Sequence, residues 1–239
     1  MSKLTDFKLL SFDAYGTLID WERGALTALE PMLSKSSQPN LDPKHILQTL
    51  HAIEPPIEKE HPDWKYSQVL TAVHPKLCAE LNLPAPTSQE SEAFGASVGS
   101  WPLFPDTLEA LTRLSKRYKL VILSNVDNTS FASSFLSPFP FDAVLTAQDI
   151  GSYKPDLKNF EYLLRQVRER FDLGKHQVLH TAQSQFHDHH SAREMGLKTS
   201  WIYRPGAVMG NREDPVWDWK FDTLGDMADA VDKEVEEGK

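Results

Sequence analysis

Four polar side chains whose types can cooperate in covalent catalysis follow separate apolar segments of this chain. Asp13 directly follows the run Leu9–Phe12, and Ser124 closes a second apolar run. Lys154 comes later, and Asp188 follows a third apolar run at a short distance. A carboxylate can act as a covalent nucleophile, and a nearby lysine favours the ionised form of that carboxylate. A second carboxylate can accept a proton from water. These residue types predict an enzyme with Asp13 as its nucleophile.

Each of these residues also has an ordinary structural explanation. Asp13 stands before Gly16 in a segment typical of turns, and Ser124 with Asn125 could cap the next helix. Lys154 could be a solvated loop residue, and Asp188 could complement a helix dipole. Each of these residues follows an apolar strand, so all of them could face one crevice. Such a joint occurrence is unlikely by accident, and we therefore favour the functional interpretation.

The elements that would position these residues alternate between strands and helices. Strands are predicted at 9–12, 120–123, 143–146, 177–182 and 199–203, with helical patterns between the later ones. This alternation predicts right-handed crossovers and a parallel sheet. Open α/β sheets bind their ligands at the carboxyl ends of the strands. We therefore expect the four polar residues to face one crevice.

The segment between the first two strands has a purely helical pattern. Helices are predicted at 21–34, 43–54, 64–81 and 88–99, the second ending at Pro55–Pro56 because proline disrupts helix interiors. The sequence thus predicts an α/β core formed by residues 1–19 and 101–239. Residues 20–100 are predicted to form a helical lid over the carboxyl end of the sheet.

Composition and charge narrow the classes of partner. The 239 residues are 40% hydrophobic and 25% charged, with 34 acidic and 25 basic side chains and a net charge of −9. Phosphate backbones require concentrated Lys and Arg, so nucleic acid is not an expected partner. A small anionic substrate remains compatible, because one local cation can dominate a pocket. The sequence leaves open whether the chain forms a homodimer.

Cysteine usage and hydropathy predict a cytoplasmic protein. Cys78 is the single cysteine, which excludes an intrachain disulfide. No stretch approaches the roughly 20 apolar residues of a membrane span, and no signal-peptide pattern precedes the first strand. Neither a membrane nor a secreted, disulfide-stapled scaffold is therefore expected.

Four motifs of the chain together resemble the haloacid dehalogenase (HAD) superfamily over almost the whole length. They are Asp13-Ala-Tyr-Gly-Thr-Leu, Leu123-Ser-Asn125, Tyr153-Lys-Pro-Asp156 and Asp188. The resemblance implies a Rossmann-like core, an α-helical cap domain and a covalent aspartyl intermediate on the first Asp. Many members are phosphatases and a few are dehalogenases.

Tyr15 distinguishes between these two classes. Phosphatases of the superfamily typically carry a second Asp two residues after the nucleophile, and a phenol is a poor substitute for that acid. A departing halide needs no proton. The form Asp13-x-Tyr15-Gly-Thr-Leu is similar to the L-2-haloacid dehalogenases, as is the segment Thr199–Arg204. This resemblance implies hydrolysis of a 2-haloacid to a 2-hydroxy acid.

The resemblance also implies roles for the site residues. Lys154 would keep Asp13 ionised, Asp188 would orient the hydrolytic water, and Ser124 would help to hold the substrate. The predicted substrate-contacting residues are Tyr15, Thr17, Asn125, Gln185, His187 and Arg23. No metal is implied for the dehalogenases. If the chain is instead a Mg²⁺-dependent phosphatase, the predicted ligands are Asp13, the Tyr15 carbonyl and Asp188.

The chain departs from the dehalogenase pattern at three places. Arg23 is the only arginine before Arg113, although the dehalogenases usually carry a cap arginine that cradles the halide. Gln185 replaces an expected Asn. Of the nearby histidines, His187 is the functional candidate, whereas His189 and His190 are predicted at the surface. These departures keep two alternatives open, a Mg²⁺-dependent phosphatase and a non-catalytic binding protein with the same fold.

Overall fold

The computed structural model describes residues 2–35 and 41–238, which form a parallel sheet, flanking helices and a helical insertion. The strands are β1 (Leu9–Phe12), β2 (Lys119–Ser124), β3 (Ala143–Thr146), β4 (Val178–Ala182), β5 (Lys198–Ile202) and β6 (Trp219–Phe221). The insertion contains α1 (Trp21–Leu33), α2 (Pro43–Glu60), α3 (Tyr66–Glu80) and α4 (Ser88–Ala96). The later helices are α5 (Thr107–Leu114), α6 (Asn128–Ser133), α7 (Ala147–Ile150), α8 (Lys158–Phe171), α9 (His190–Glu194) and α10 (Leu224–Glu237).

The six strands form one sheet in the order β3-β2-β1-β4-β5-β6. Every neighbouring pair is parallel, and β1 lies between β2 and β4. The chain therefore builds one half of the sheet and then returns past β1 to build the other. This reversal of strand order creates a crevice at the carboxyl end of β1, where Asp13 follows. The predicted α/β, Rossmann-like core is confirmed.

Burial on both faces explains why the central strands are rich in apolar residues, although β1 also contains Ser11 and β4 contains His180 and Thr181. In β1, Leu10 and Phe12 pack with Ile122 on one face of the sheet. Leu9 packs with Phe160 of α8 on the opposite face. A strand buried on both sides cannot alternate polar with apolar residues. The apolar runs in the sequence were therefore a sufficient signal for these strands.

Helix α2 differs from the sequence prediction because it continues through Pro55 and Pro56 to Glu60. A proline in a helix interior removes a backbone hydrogen bond and crowds the preceding turn. Here Glu54 and Ile57 on either side of the prolines are buried, and packing of this face outweighs the local cost. The extra turn also carries Glu58 into the insertion's inner surface.

Two further segments differ from the predicted elements. The short edge strand β6, with only partly buried or exposed residues, was not predicted because it lacks an apolar run. The predicted helix at 187–195 begins instead as a π-helix, Gln185–His189, and continues as α9. Within residues 2–35 and 41–238, no helix combines the length and apolarity needed to cross a bilayer.

Candidate active site

Asp13 sits at the carboxyl end of β1, where a tight turn holds its side chain. Gly16 adopts φ +99°, a left-handed conformation that favours glycine and lets the chain turn back. The Thr17 hydroxyl donates to Asp13 Oδ2 at 2.8 Å and accepts from the Gln183 backbone N–H at 2.9 Å. The nucleophile candidate is thus fixed from both β1 and the end of β4.

Lys154 lies on the other side of Asp13 and uses all of its protons within the protein. Its Nζ donates to Asp13 Oδ1 at 2.9 Å, to Asp188 Oδ1 at 2.7 Å and to the Leu123 carbonyl at 3.0 Å. An ammonium group has three donors, so Lys154 has none left for a substrate. Its contribution is a fixed positive charge between two carboxylates.

Asn125 positions Lys154 through its backbone. Its amide oxygen accepts from the Lys154 N–H at 2.6 Å, and its amide nitrogen donates to the Lys154 carbonyl at 3.0 Å. The Asn125 side chain, predicted to bind substrate, therefore holds the loop that carries the lysine, although Asn125 also lines the cavity.

Asp188 is fully buried, and its two oxygens have different surroundings. Oδ1 accepts from Lys154 and lies 2.9 Å from His180 Nε2. Oδ2 is buried without a hydrogen-bond partner in the described part of the chain. Burial would raise the pKa of Asp188, but the Lys154 ammonium and His180 outweigh it and hold that pKa below its ordinary value.

The three ionisable groups influence one another strongly. Burial raises the pKa of the Asp13 carboxyl, while the Lys154 ammonium and the Thr17 hydroxyl oppose the rise. Burial would lower the pKa of Lys154, yet the two carboxylates raise it above its ordinary value. Lys154 therefore remains charged. A cation held between two carboxylates is the arrangement that keeps a buried aspartate available as a nucleophile.

A cavity of about 80 Å³ opens above Asp13 and is bounded by both the core and the insertion. The core contributes Asp13, Tyr15, Ser124, Asn125, Val126, Lys154, Gln183, Ser184, His187, Asp188, Met209 and Gly210. The insertion contributes Trp21, His51, Glu54, Pro55, Glu58 and Tyr66. Trp101, at the junction between them, completes the wall. Such a cavity suits a small molecule rather than a polymer.

The wall formed by the insertion carries two carboxyl groups one helical turn apart. Glu54 accepts a hydrogen bond of 2.8 Å from the Tyr66 hydroxyl. Burial raises the pKa of Glu54 to about 7. Burial, assisted by repulsion from Glu54, raises the pKa of Glu58 to about 8. At pH 7 Glu54 is therefore about half protonated and Glu58 is mostly protonated, which reduces repulsion of an anion in the cavity.

The phenol of Tyr15 cannot replace a carboxylic acid in this cavity. Its hydroxyl is buried and has no hydrogen-bond partner among the described residues. Burial, with smaller contributions from Asp127 and Asp13, raises the pKa of Tyr15 above its ordinary value. A proton held this tightly is poorly suited to protonate a leaving group at neutral pH.

Comparison with known proteins decides the family. The model of the haloacid dehalogenase-like hydrolases matches residues 7–180 of the chain. This match covers more than half of the sequence and includes β1, the insertion and β4.

The chain belongs to the haloacid dehalogenase-like hydrolases. Among solved structures, it is similar to the L-2-haloacid dehalogenase PA0810, with 23% identity, a TM-score of 0.75 and coverage of 94% of this chain and 99% of that chain. It also matches the L-2-haloacid dehalogenase from Xanthobacter autotrophicus with chloropropionic acid covalently bound, at 18% identity, TM-score 0.76 and coverage of 95% and 98%. A search of curated protein sequences finds no match.

A third similar structure is a hydrolase bound to a metal. The putative HAD-hydrolase YfnB from Bacillus subtilis, bound to magnesium, shares 16% identity with a TM-score of 0.72, covering 95% of this chain and 99% of that chain. Identities this low establish the fold alone. The reaction of this HAD-like hydrolase therefore has to be argued from its own residues.

Three predicted substrate contacts lie outside the cavity of this HAD-like hydrolase. Thr17 is fully buried beneath Asp13, and its hydroxyl bonds Asp13 and the Gln183 backbone. Gln185 is fully buried, and its amide bonds the Val216 N–H at 2.8 Å and the Val216 carbonyl at 3.3 Å. Arg23 is exposed in the first turn of α1. The structure thus gives no arginine to the described cavity wall.

The histidines after β4 also differ from the prediction in part. His187 does line the cavity, and burial lowers its pKa to about 3, so its imidazole is neutral. His190 is partly buried. His189, predicted at the surface, is fully buried, with Nε2 2.9 Å from the Ala182 carbonyl. The π-helix turns this residue toward β4, a rotation that a regular helical pattern does not reveal.

The residues that the sequence analysis did not identify include His180, Glu54, Glu58 and Arg204. Arg204 donates through Nε and Nη2 to the Thr17 carbonyl at 3.1 and 2.7 Å and through Nη1 to Asp106 at 2.6 Å, which braces the turn behind Asp13. Among these residues, only His180 left a signal in the sequence, because a histidine is unusual in a short strand that is mostly apolar.

The side chains near Asp13 do not by themselves supply enough ligands for a divalent cation. Among the described residues, no group of three or more His, Cys, Asp or Glu side chains has the arrangement of a metal site. Asp13 and Asp188 stand together, however, and the unpartnered Asp188 Oδ2 is an oxygen of the type that Mg²⁺ binds. With the Tyr15 carbonyl these oxygens could hold such an ion.

Proposed function

We propose that this HAD-like hydrolase hydrolyses the carbon–halogen bond of a small 2-haloacid through an ester on Asp13. The observation that carries the proposal is the contact between Lys154 Nζ and Asp13 Oδ1 at the cavity between the core and the insertion. The absence of an acid at Tyr15 favours a leaving group that departs without a proton. The covalent chloropropionic acid adduct of the Xanthobacter enzyme supports the same chemistry by analogy.

The first step is a displacement at carbon. A carboxylate oxygen of Asp13 attacks C2 of the acid, the new C–O bond forms, and the halide leaves with the bonding electrons. The Ser124 hydroxyl lines the cavity and makes no side-chain hydrogen bond within the described residues, so it is free to bind the substrate carboxylate. Backbone N–H groups near Asn125 can assist.

The second step returns the free enzyme. Water attacks the ester carbonyl of Asp13 and transfers a proton toward Asp188, whose Oδ2 is unpartnered. The bond between the carbonyl carbon and the substrate oxygen then breaks, and that oxygen takes up the proton. The product is a 2-hydroxy acid, and one water oxygen remains in the Asp13 carboxyl group. The second water proton is released to solvent as the Asp13 carboxylate re-forms, so each turnover yields one halide ion and one proton.

In this proposal, side chains of the insertion take the place of the cap arginine that cradles the halide in the dehalogenases. Glu58 is mostly protonated and Glu54 about half protonated at pH 7, and Trp21 and Trp101 present apolar surface to the cavity. A wall with this reduced negative charge admits an anionic substrate with less repulsion than two ionised carboxylates would cause. We therefore place the halide against this wall.

A Mg²⁺-dependent phosphatase is the alternative, and the unpartnered Asp188 Oδ2 beside Asp13 favours it. Asp13, the Tyr15 carbonyl and Asp188 would hold the ion, which would stabilise charge on a phosphoryl group. The weakly acidic Tyr15 argues against this reaction.

The decisive experiment compares two activities of the purified protein. We expect halide release from 2-chloro- and 2-bromoacids in the presence of EDTA, with an adduct on the Asp13 peptide detected by mass spectrometry. Asp13→Asn should abolish release, whereas Asp63→Asn, at an exposed position on the insertion, should not. Phosphate release that EDTA abolishes would establish the alternative, and an active Asp13→Asn enzyme would exclude covalent catalysis.

A further inference from the structure

A chain of buried hydrogen bonds extends from the Asp13–Lys154 pair into the sheet. Beyond Asp188 it continues to His180 Nε2 at 2.9 Å, and His180 Nδ1 lies 2.9 Å from Ser11 Oγ. Ser11 and His180 are register partners on the adjacent strands β1 and β4. Both are fully buried. No step of the mechanism above uses either residue.

We propose that His180 is a positioning residue for ester hydrolysis, because it fixes the Asp188 carboxylate with Oδ2 directed at the hydrolytic water. This inference rests on the proposed function, since it concerns the second step of that reaction. It assigns a role to a histidine that is fully buried within β4.

The hydrogen bonds select one tautomer of His180. An ionised carboxylate only accepts hydrogen bonds, so Nε2 must carry the proton that is shared with Asp188. The Ser11 hydroxyl has no other hydrogen bond within the described chain. It therefore donates its proton to Nδ1 of His180. Ser11 therefore holds the ring with Nε2–H toward Asp188. The Phe160 ring, edge-on at a centroid distance of 5.1 Å, packs against the imidazole.

The positioning matters most after the ester has formed. In the free enzyme, Lys154 is shared between the carboxylates of Asp13 and Asp188. Esterification removes the negative charge of Asp13, which leaves Asp188 as the remaining anionic partner of the ammonium. Without a second donor on Oδ1, the Asp188 carboxylate could rotate and give both oxygens to Lys154. His180 prevents this rotation and keeps Oδ2 available for water.

The consequence is an effect on one of the two chemical steps. Formation of the ester uses Asp13, held beside Lys154, and the bound substrate, and the proton balance of that step does not involve Asp188. Hydrolysis transfers a water proton toward Asp188 Oδ2 while the water oxygen bonds to the Asp13 carbonyl carbon. Loss of the Nε2–H donor should therefore slow hydrolysis and spare ester formation.

The test is single-turnover kinetics on the full chain with 2-chloropropionate, quenched and analysed by mass spectrometry of the Asp13 peptide. In His180→Leu we expect ester formation within about threefold of wild type and hydrolysis slower by about 10- to 100-fold, the usual effect of losing an outer partner of a catalytic group. The ester should accumulate. His180→Gln can place an amide N–H near the position of Nε2 and should restore much of the hydrolysis rate.

Ser11→Ala provides a milder variant if His180→Leu does not fold. It removes the hydroxyl that fixes the ring, and we expect a smaller accumulation of the ester. A readout without substrate is the ¹⁵N spectrum of histidine-labelled protein, in which His180 should show a protonated Nε2 and a change in Ser11→Ala. Equal losses in both steps, no loss in hydrolysis, or the opposite tautomer would overturn the inference. A protein that forms no ester and releases no halide would instead refute the proposed function.

Discussion

The Tyr66 hydroxyl donates a hydrogen bond of 2.8 Å to Glu54, and this pair forms part of the cavity wall opposite Asp13. Glu54 is only 8% exposed. Burial raises its pKa to about 7, although the hydrogen bond from Tyr66 opposes the rise. The folded protein therefore binds the Glu54 proton more tightly than the unfolded chain does.

This difference predicts how stability depends on pH. A carboxyl whose pKa is raised by folding contributes stability that is complete below its ordinary pKa and is lost as pH rises through the folded value. We expect the contribution of Glu54 to disappear between about pH 4.5 and pH 7. In Glu54→Gln the decline of unfolding free energy over this range should be shallower. Urea denaturation at several pH values measures it, with Glu60→Gln, exposed on the same helix, as control. Parallel curves for wild type and Glu54→Gln would contradict the assignment.

Ionisation of Glu58 should cause kcat/KM to fall on the basic side of the pH profile. Its pKa of about 8 means that the cavity gains a negative charge above that pH. Repulsion of an anionic substrate at roughly 8 Å with an effective dielectric of about 20 is on the order of 2 kcal/mol. We therefore expect kcat/KM for a 2-haloacid to fall about tenfold or more as pH rises through 8. Glu58→Gln should keep the rate nearly constant there, and Glu60→Gln should behave as wild type. A basic limb that persists in Glu58→Gln would assign it to another group.

The core and its site were predictable because parallel strands that are buried on both faces appear in the sequence as short, mostly apolar runs. The strand at 143–146 matches β3, and Asp13 and Lys154 were predicted to lie together because loops after parallel strands share one edge of a sheet. The edge strand β6 has no such apolar run. The division into core and cap domains, the cytoplasmic location, the metal independence and the homodimer stay predictions.

The part of the site contributed by the insertion could not be predicted, for reasons of packing. The sequence pattern ended α2 at Glu54, whereas burial of Ile57 carries the helix past Pro55 and brings Glu58 to the cavity. How a helical insertion docks on a sheet depends on the summed contacts of many side chains, and no short motif encodes it. Gln185 shows the converse, since its position in a motif suggested the substrate while its amide bonds Val216.

Tyr15→Phe tests whether the phenol takes part in the chemistry. The hydroxyl is buried and unpartnered in the described chain, and burial raises its pKa. We expect halide release within about threefold of wild type, and equal or greater stability, because a buried unsatisfied polar group is costly. Tyr66→Phe is the contrasting variant, since it removes the hydrogen bond to Glu54 and should destabilise the protein. A loss of about 100-fold or more in Tyr15→Phe would indicate that Tyr15 acts as a general acid.

Gln185→Leu tests whether this residue shapes the cavity indirectly. Its amide pairs with both backbone groups of Val216, and that segment continues from Met209 and Gly210 in the cavity wall. The substitution leaves the Val216 N–H and carbonyl unsatisfied, which should cost about 1–3 kcal/mol of unfolding free energy.

Because the loop that carries Met209 would loosen while Asp13 and its partners stay in place, we expect Gln185→Leu to raise KM more than it lowers kcat. Steady-state halide release and urea denaturation of the same preparations measure both effects. Gln89→Leu, at an exposed position of α4, controls for the change in side-chain polarity. A variant with normal stability and KM but strongly reduced kcat would show instead that the Gln185 amide acts on the reacting atoms, because only a direct role in chemistry would spare binding.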